Sequence, residues 1–253
     1  MQESWLTAAA NSGVGTAIRQ AALSTGTDFS YLLRQARIES GFNPNAKART
    51  SSATGLFQFT EQTWLATVKK HGVQQGLDWA AAAIQKGSNG RYHVADPNLR
   101  QAILNLRKDP QSAASMAGEF ASDNRAYLEQ HLGRPVETVD LYLAHFLGAG
   151  GASKFLSAQD ADPSTAAASV VPAAARANRS IFYKSDGTPR TLAEVRDRFA
   201  AKLGVDAGSM PPSQTPTNWA LRLASADGST PQPTTPSAHY ARLAYLMLAE
   251  LGD

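Results

Sequence analysis

Apolar residues recur along this chain at spacings of three and four, and no convincing run of alternating apolar and polar residues appears. Trp5, Leu6, Ala9, Val14, Ile18, Ala22 and Leu23 predict a helix or pair of helices over residues 3–23, broken near Ser12-Gly13. Thr25-Gly26-Thr27-Asp28 is a turn, and Asp28 is a good N-cap for a helix over 29–40. A polar loop fills 41–54. Thr60 then caps a helix over 61–72, with Glu61 at its positive end. An alanine-rich helical piece over 79–85 precedes a Gly/Ser/Asn-rich turn at 87–90, and a small hairpin within 83–96 is left open. Asp96-Pro97 and Asp109-Pro110 each open a helix, the first over 97–107 and the second to 132, with Met116, Phe120, Tyr127 and Leu128 on its inner side. Arg134-Pro135 breaks that helix. Residues 137–148 form a short, strongly apolar one that ends in Gly148-Ala149-Gly150-Gly151, and the next starts near Ala152. Asp162-Pro163 and a run of alanines lead to a last helix over 191–203, carrying Leu192, Val195, Phe199 and Leu203 at helical spacing.

After Gly204 the character changes to Pro, Ser, Thr and Gly. The expected organisation is a helical domain over 1–206, a Pro/Ser/Thr-rich linker over 207–237 and an amphipathic C-terminal helix over 238–253. Tyr240, Leu243, Met247 and Leu251 make one stripe on that last helix. It can fold back on the domain or dock another protein, and the pattern leaves both open. The fold class is all-α.

Composition narrows the function classes. Of 253 residues, 43% are apolar and 18% charged, as in a globular protein with a real core. A net charge of +3 and a pI near 9.2 suit a negatively charged partner, but no basic run is interleaved with aromatics, so nucleic acid is not expected. Without cysteine there is no disulfide, and the five histidines lack ligand spacing, so neither metal nor cofactor is expected. No apolar run is long enough for a transmembrane helix. The first residues, MQESWLTAAA, lack the basic start and apolar core of a secretory signal, so export is expected to use another route or a signal already removed.

One residue in this framework carries candidate chemistry. Leu32, Ala36 and Glu39 lie at i, i+4 and i+7 and share an otherwise apolar helix face, which turns Glu39 inward. Gly41 and Asn43-Pro44 stop the helix just beyond it. Apolar surroundings and the negative end of a helix dipole both favour the protonated form that a general acid needs. A lone Glu at a helix end is more often a surface charge, so its neighbours must decide.

Those neighbours read Glu39-Ser40-Gly41-Phe42-Asn43-Pro44-Asn45-Ala46, then Gly55-Leu56-Phe57-Gln58 followed by Thr63-Trp64. This pair of motifs resembles the SLT family of lytic transglycosylases, grouped with goose-type lysozyme. Phe57 stands where the family has Met. A third family motif, Ala-Tyr-Asn-Ala-Gly-x-Gly, matches Ala144-His145-Phe146-Leu147-Gly148-Ala149-Gly150 only at the Ala and the two glycines. The Asn contact of the family is therefore not carried over. His145 can supply a polar group in its place or be a satisfied core histidine. The resemblance extends over about residues 17–185 and does not reach the tail.

What the resemblance implies is a lysozyme-like helical domain cleaving the MurNAc–GlcNAc β-1,4 bond of peptidoglycan glycan strands, with 1,6-anhydro-MurNAc as product. Glu39 would be the single acid/base, and Ser40, Gly55, Phe57, Gln58, His145 and Phe146 would line the substrate. The family also places a tyrosine late in the domain near the acid. Tyr183 is the first candidate for it and Tyr142 the second. No second carboxylate is marked by a motif: Asp78, Glu119, Asp123 and Asp140 are scattered and read as surface or capping charges. A hydrolytic muramidase and a non-catalytic peptidoglycan-binding or assembly module are the alternatives. The expected setting is the periplasm or cell envelope. A monomer is expected, with the tail as a candidate contact to a secretion or flagellar assembly.

Overall fold

The computed structural model describes residues 9–49 and 51–205, and the linker and terminal helix expected after 206 lie outside them. Twelve α-helices are described: α1 Gly13–Thr25, α2 Phe29–Ser40, α3 Glu61–His71, α4 Asp78–Ala83, α5 Pro97–Asn105, α6 Pro110–Leu132, α7 Thr138–Leu147, α8 Ala149–Ala161, α9 Ala167–Val170, α10 Pro172–Ala177, α11 Arg179–Phe182 and α12 Leu192–Leu203. A two-stranded antiparallel hairpin, β1 Gln85–Lys86 and β2 Tyr92–His93, interrupts them, with Gln85 opposite His93 and Lys86 opposite Tyr92. The architecture is all-α and lysozyme-like.

Local chemistry sets most helix starts. Side-chain oxygens of Ser12, Asp28, Thr60, Asp96, Asp109 and Thr191 each accept a backbone N–H from the first turn they precede. Thr191 and Glu194 complete a reciprocal capping box on α12. The ends are set as simply: Gly41 closes α2 at φ 59°, its N–H donating to the Arg37 carbonyl and the Phe42 N–H to the Ala36 carbonyl.

The 23-residue helix α6 is the axis, about 35 Å long at 1.5 Å per residue. Helices α1, α3, α7 and α8 pack around it. Met116 and Leu128 are fully buried, while Phe120 and Tyr127 lie partly buried against the core. Trp64 of α3 is buried too, and its indole N–H donates to the Ile103 carbonyl at 2.8 Å. Helix α12 packs against α2, α7 and α8.

Two places differ from the hydrophobic pattern. Helix α8 starts at Ala149 rather than near Ala152, because Gly148, at φ 73° and ψ 155°, makes the break alone and Gly150 and Gly151 follow inside the helix. The alanine run splits into α9 and α10 at Pro172, whose ring supplies no N–H and so opens a new first turn.

Asp140 is a capping residue, as its position suggests, but it is not at the surface. It accepts the Glu137 backbone N–H at 3.1 Å, is fully buried, and is paired with Arg134 at 2.9 Å and Arg196 at 3.0 Å. This pairing ties the start of α7 to α12. Burial of a carboxylate requires such partners.

Candidate active site

The loop between α2 and α3 is built around buried polar anchors. Arg107 donates to the carbonyls of Ser52 at 2.7 Å, Phe59 at 3.0 Å and Leu104 at 2.9 Å. Burial lowers its pKa to about 10, which still leaves it a cation at neutral pH. Gly55 passes directly over the Arg107 carbonyl, and a Cβ there would lie 1.8 Å from that oxygen. With φ at +87° as well, the position admits glycine alone. Gln58 is buried, and its side-chain amide donates to the carbonyls of Gly55 at 2.8 Å and Ala46 at 3.2 Å. Ser40 fastens the end of α2 to this turn by donating to the Leu56 carbonyl at 2.8 Å.

Glu39 is thereby fixed at the mouth of the loop. Leu32 and Ala36 on its helix face are fully buried, and its own side chain is only 4% exposed. Two donors reach it from α7. The Tyr142 hydroxyl donates to Glu39 Oε1 at 3.1 Å, and His145 Nε2 lies 3.2 Å from the same oxygen. Among the described residues no hydrogen bond or ion pair reaches Oε2. The other ring nitrogen of His145, Nδ1, lies 3.1 Å from Nε2 of Gln35, one helical turn before Glu39 on α2.

Aromatic packing holds this arrangement. The Tyr142 and His145 rings stack with centroids 5.8 Å apart, and Phe120 meets His145 edge-on at 6.3 Å. Phe199 of α12 supports Tyr142 at 5.7 Å. Burial, then the Glu39 charge and the hydrogen bond to it, push the Tyr142 hydroxyl well above the usual tyrosine range. Tyr31 is raised for the same first two reasons. Tyr142 therefore remains a proton donor to Glu39 across the physiological range. Burial lowers the Lys202 ammonium, and the Glu39 charge works in the opposite direction.

The backbone beside Glu39 is strained. Phe42, at φ 66°, and Gln58, at φ 46°, are the non-glycine residues in the left-handed region among those described. Such outliers cost about 1–3 kcal/mol each and gather at functional sites.

Not every candidate meets Glu39. Phe57 is 1% exposed and lies in the core. Phe146 is fully buried, stacked on Phe182 at 6.4 Å and tilted against Phe199 at 4.9 Å. Tyr183 carries the Arg179 guanidinium over its ring at 4.6 Å, and the tyrosine bonded to Glu39 is Tyr142. Sequence reasoning missed Gln35, although its place four residues before Glu39 sets it on the same helix face. It also ranked Tyr142 second, although Tyr142 and His145 stand three apart and so share a face of α7.

The other carboxylates singled out in the sequence do not form a pair with Glu39. Glu119 and Asp123 flank His71 at 3.4 and 2.8 Å, Asp140 is held by Arg134 and Arg196, and Asp78 is exposed at the start of α4. Among the described residues no group of three or more His, Asp or Glu side chains makes a metal-ligand set.

The residues around Glu39 thus come from three stretches, 29–58, 120–146 and α12. Residues 16–94 match the family model described as Transglycosylase SLT domain, which takes in Glu39 and the 55–58 turn but ends before Tyr142 and His145. Over this stretch the chain is similar to a transglycosylase SLT domain, a match that supports a peptidoglycan-active function of the lytic-transglycosylase type.

Proposed function

We propose that the protein cleaves the β-1,4 bond between MurNAc and GlcNAc in peptidoglycan glycan strands as a lytic transglycosylase, with Glu39 as its single acid/base. The observation that carries this reading is a carboxyl withdrawn from water, met on Oε1 by Tyr142 and His145 and with no partner on Oε2 among the described residues. Protonated Glu39 gives its proton to the leaving glycosidic oxygen as the bond to C1 of MurNAc breaks. The substrate's acetamido group stabilises the cationic sugar from within. Ionised Glu39 then takes the proton of the sugar's own C6 hydroxyl as that oxygen attacks C1. The proton balance closes on one residue, and the product ends in 1,6-anhydro-MurNAc without consuming water. A second acid/base is not required. The pairing of Asp140, Glu119 and Asp123 with cations and His71 is consistent with that economy.

Ser40, Gly55 and Gln58 support the site by holding the 46–58 loop against the end of α2, with Phe57 packed beneath them. Phe146 backs Tyr142 and His145 through the aromatic cluster with Phe199. Proteins with SLT domains act on peptidoglycan outside the cytoplasm, and among the described residues no helix is long and apolar enough to cross a membrane. The proposed setting is the periplasm or cell envelope.

Muropeptide mass spectrometry tests the reading. Purified peptidoglycan treated with the wild type should yield anhydro products, lighter by one water than hydrolysed ones, and Glu39→Gln should yield none. Hydrated reducing ends would instead identify a muramidase. Unchanged cleavage by Glu39→Gln would remove both enzymatic readings at this site.

A further inference from the structure

Gln35 and His145 form a second layer behind Glu39 that the proposed chemistry does not by itself call for. Gln35 is 3% exposed and His145 has a side chain 15% exposed, so solvent contributes little to satisfying either. The side-chain amide of Gln35 presents its NH2 group to His145 Nδ1 at 3.1 Å. An NH2 group only donates, so Nδ1 must carry the lone pair. The ring proton of neutral His145 is then on Nε2, the nitrogen 3.2 Å from Glu39 Oε1.

This orientation has a consequence for Glu39. Oε1 accepts two donors, the Tyr142 hydroxyl and the His145 Nε2–H. A carboxyl proton placed on Oε1 would face both of them. A proton placed on Oε2 leaves both hydrogen bonds intact, so the same arrangement serves the acid and the carboxylate. No rearrangement of the second layer is needed as the proton leaves and returns.

We propose that His145 is a positioning residue, locked by Gln35 in its Nε2–H tautomer, and that together with Tyr142 it confines proton transfer by Glu39 to Oε2. The proposal rests on the reading of Glu39 as the acid/base. It gives His145 a task at this departure from the family's third motif: it orients the acid instead of binding a sugar. Gln35 is the element that makes His145 a donor to Glu39. Its own Oε1 is buried without a hydrogen-bond partner among the described residues. Leaving that carbonyl unpaired carries a cost that the contact of the NH2 group with His145 Nδ1 must offset.

Proton–nitrogen correlation NMR on histidine-labelled whole protein reads the tautomer directly. The expected result is a protonated Nε2 and an unprotonated Nδ1 for His145. A protonated Nδ1 would overturn the proposal, since Gln35 would then present its carbonyl and not its NH2 group. Kinetics on glycan strands supply the second arm. Gln35→Glu offers only acceptors to Nδ1 and should lower kcat about ten- to hundredfold, the worth of a hydrogen bond to a charged group, with KM little changed. Gln35→Met, which removes the donor without imposing an acceptor, should give a smaller loss. His145→Gln, which keeps an N–H, should retain more kcat than His145→Phe. Wild-type kcat in both Gln35 variants, with Glu39→Gln inactive, would refute the positioning role and leave the acid/base reading standing. If a variant fails to fold, the wild-type tautomer still decides the matter.

Discussion

The hydroxyl of Tyr142 and the carboxyl of Glu39 meet at 3.1 Å across a sequence separation of 103 residues. One comes from the middle of α7 and the other from the last turn of α2. Fully buried Tyr142 has no water to turn to, so its proton is directed to Glu39. Removing the hydroxyl should leave the ring packing against Phe199 in place and take only the donor away. Tyr142→Phe is therefore expected to melt within a few degrees of the wild type and to lose kcat by about tenfold or more, the range for a hydrogen bond to a charged group. Initial rates of anhydro-muropeptide release beside a thermal melt check this.

The alkaline titration of the tyrosines should come in two stages. Exposed tyrosines ionise near pH 10. Tyr31 and Tyr142 are held above that value, first by burial and then by the Glu39 charge. Because their folded pKa lies above the unfolded one, the stability they contribute is fully present below about pH 10 and is lost as pH rises further. Tyrosinate absorbance should show these two of the seven tyrosines ionising only as the protein unfolds. Full ionisation while the near-ultraviolet dichroism is still native would contradict the packing around Glu39.

At Gly55, alanine should be tolerated poorly. Its Cβ would meet the Arg107 carbonyl at 1.8 Å, and φ is +87°. Strain alone costs about 1–3 kcal/mol, and the clash must add to it by moving the loop or Arg107. Urea unfolding of Gly55→Ala should show a drop of at least that size. Activity should fall with it, since the loop fixes the end of α2 through Ser40.

Acid stability should report on the contact between α3 and α6. Burial works against ionised Asp123, but hydrogen bonds from His71 and Lys70 outweigh it and hold the carboxyl below its ordinary value. Its contribution is then present above about pH 4, the unfolded value, and is lost as pH falls through the lower folded one. Asp123→Asn should be less stable than the wild type at neutral pH. The gap should close as pH drops below 4 in parallel denaturant titrations.

Much of the helical frame could be seen in the residues themselves. Asp28, Thr60, Asp96-Pro97, Asp109-Pro110 and Thr191 announced starts that the structure realises within a residue or so. A helix is held by contacts three and four residues apart, so its signals lie next to one another in the chain. Where local signals conflicted, the boundary moved: three glycines near 148 suggested a later start for α8 than Ala149. The hairpin at 85–93, two residues per strand, is too short to show alternation and was visible only as its Gly/Ser/Asn turn.

The site divides along the same line. Glu39, its inward direction and the loop that follows it were determined by sequence, because a helix face, a stop signal and two compact motifs lie within one short stretch. What only the tertiary structure decided is what touches that carboxyl. Tyr142 and His145 reach it from α7, Gln35 orients His145 from α2, and Asp140 is buried because Arg134 and Arg196 come to it from different elements. The pairings between α2, α7 and α12 depend on how helices cross, which no periodicity encodes, and a hydrogen bond between distant residues leaves no spacing behind to read.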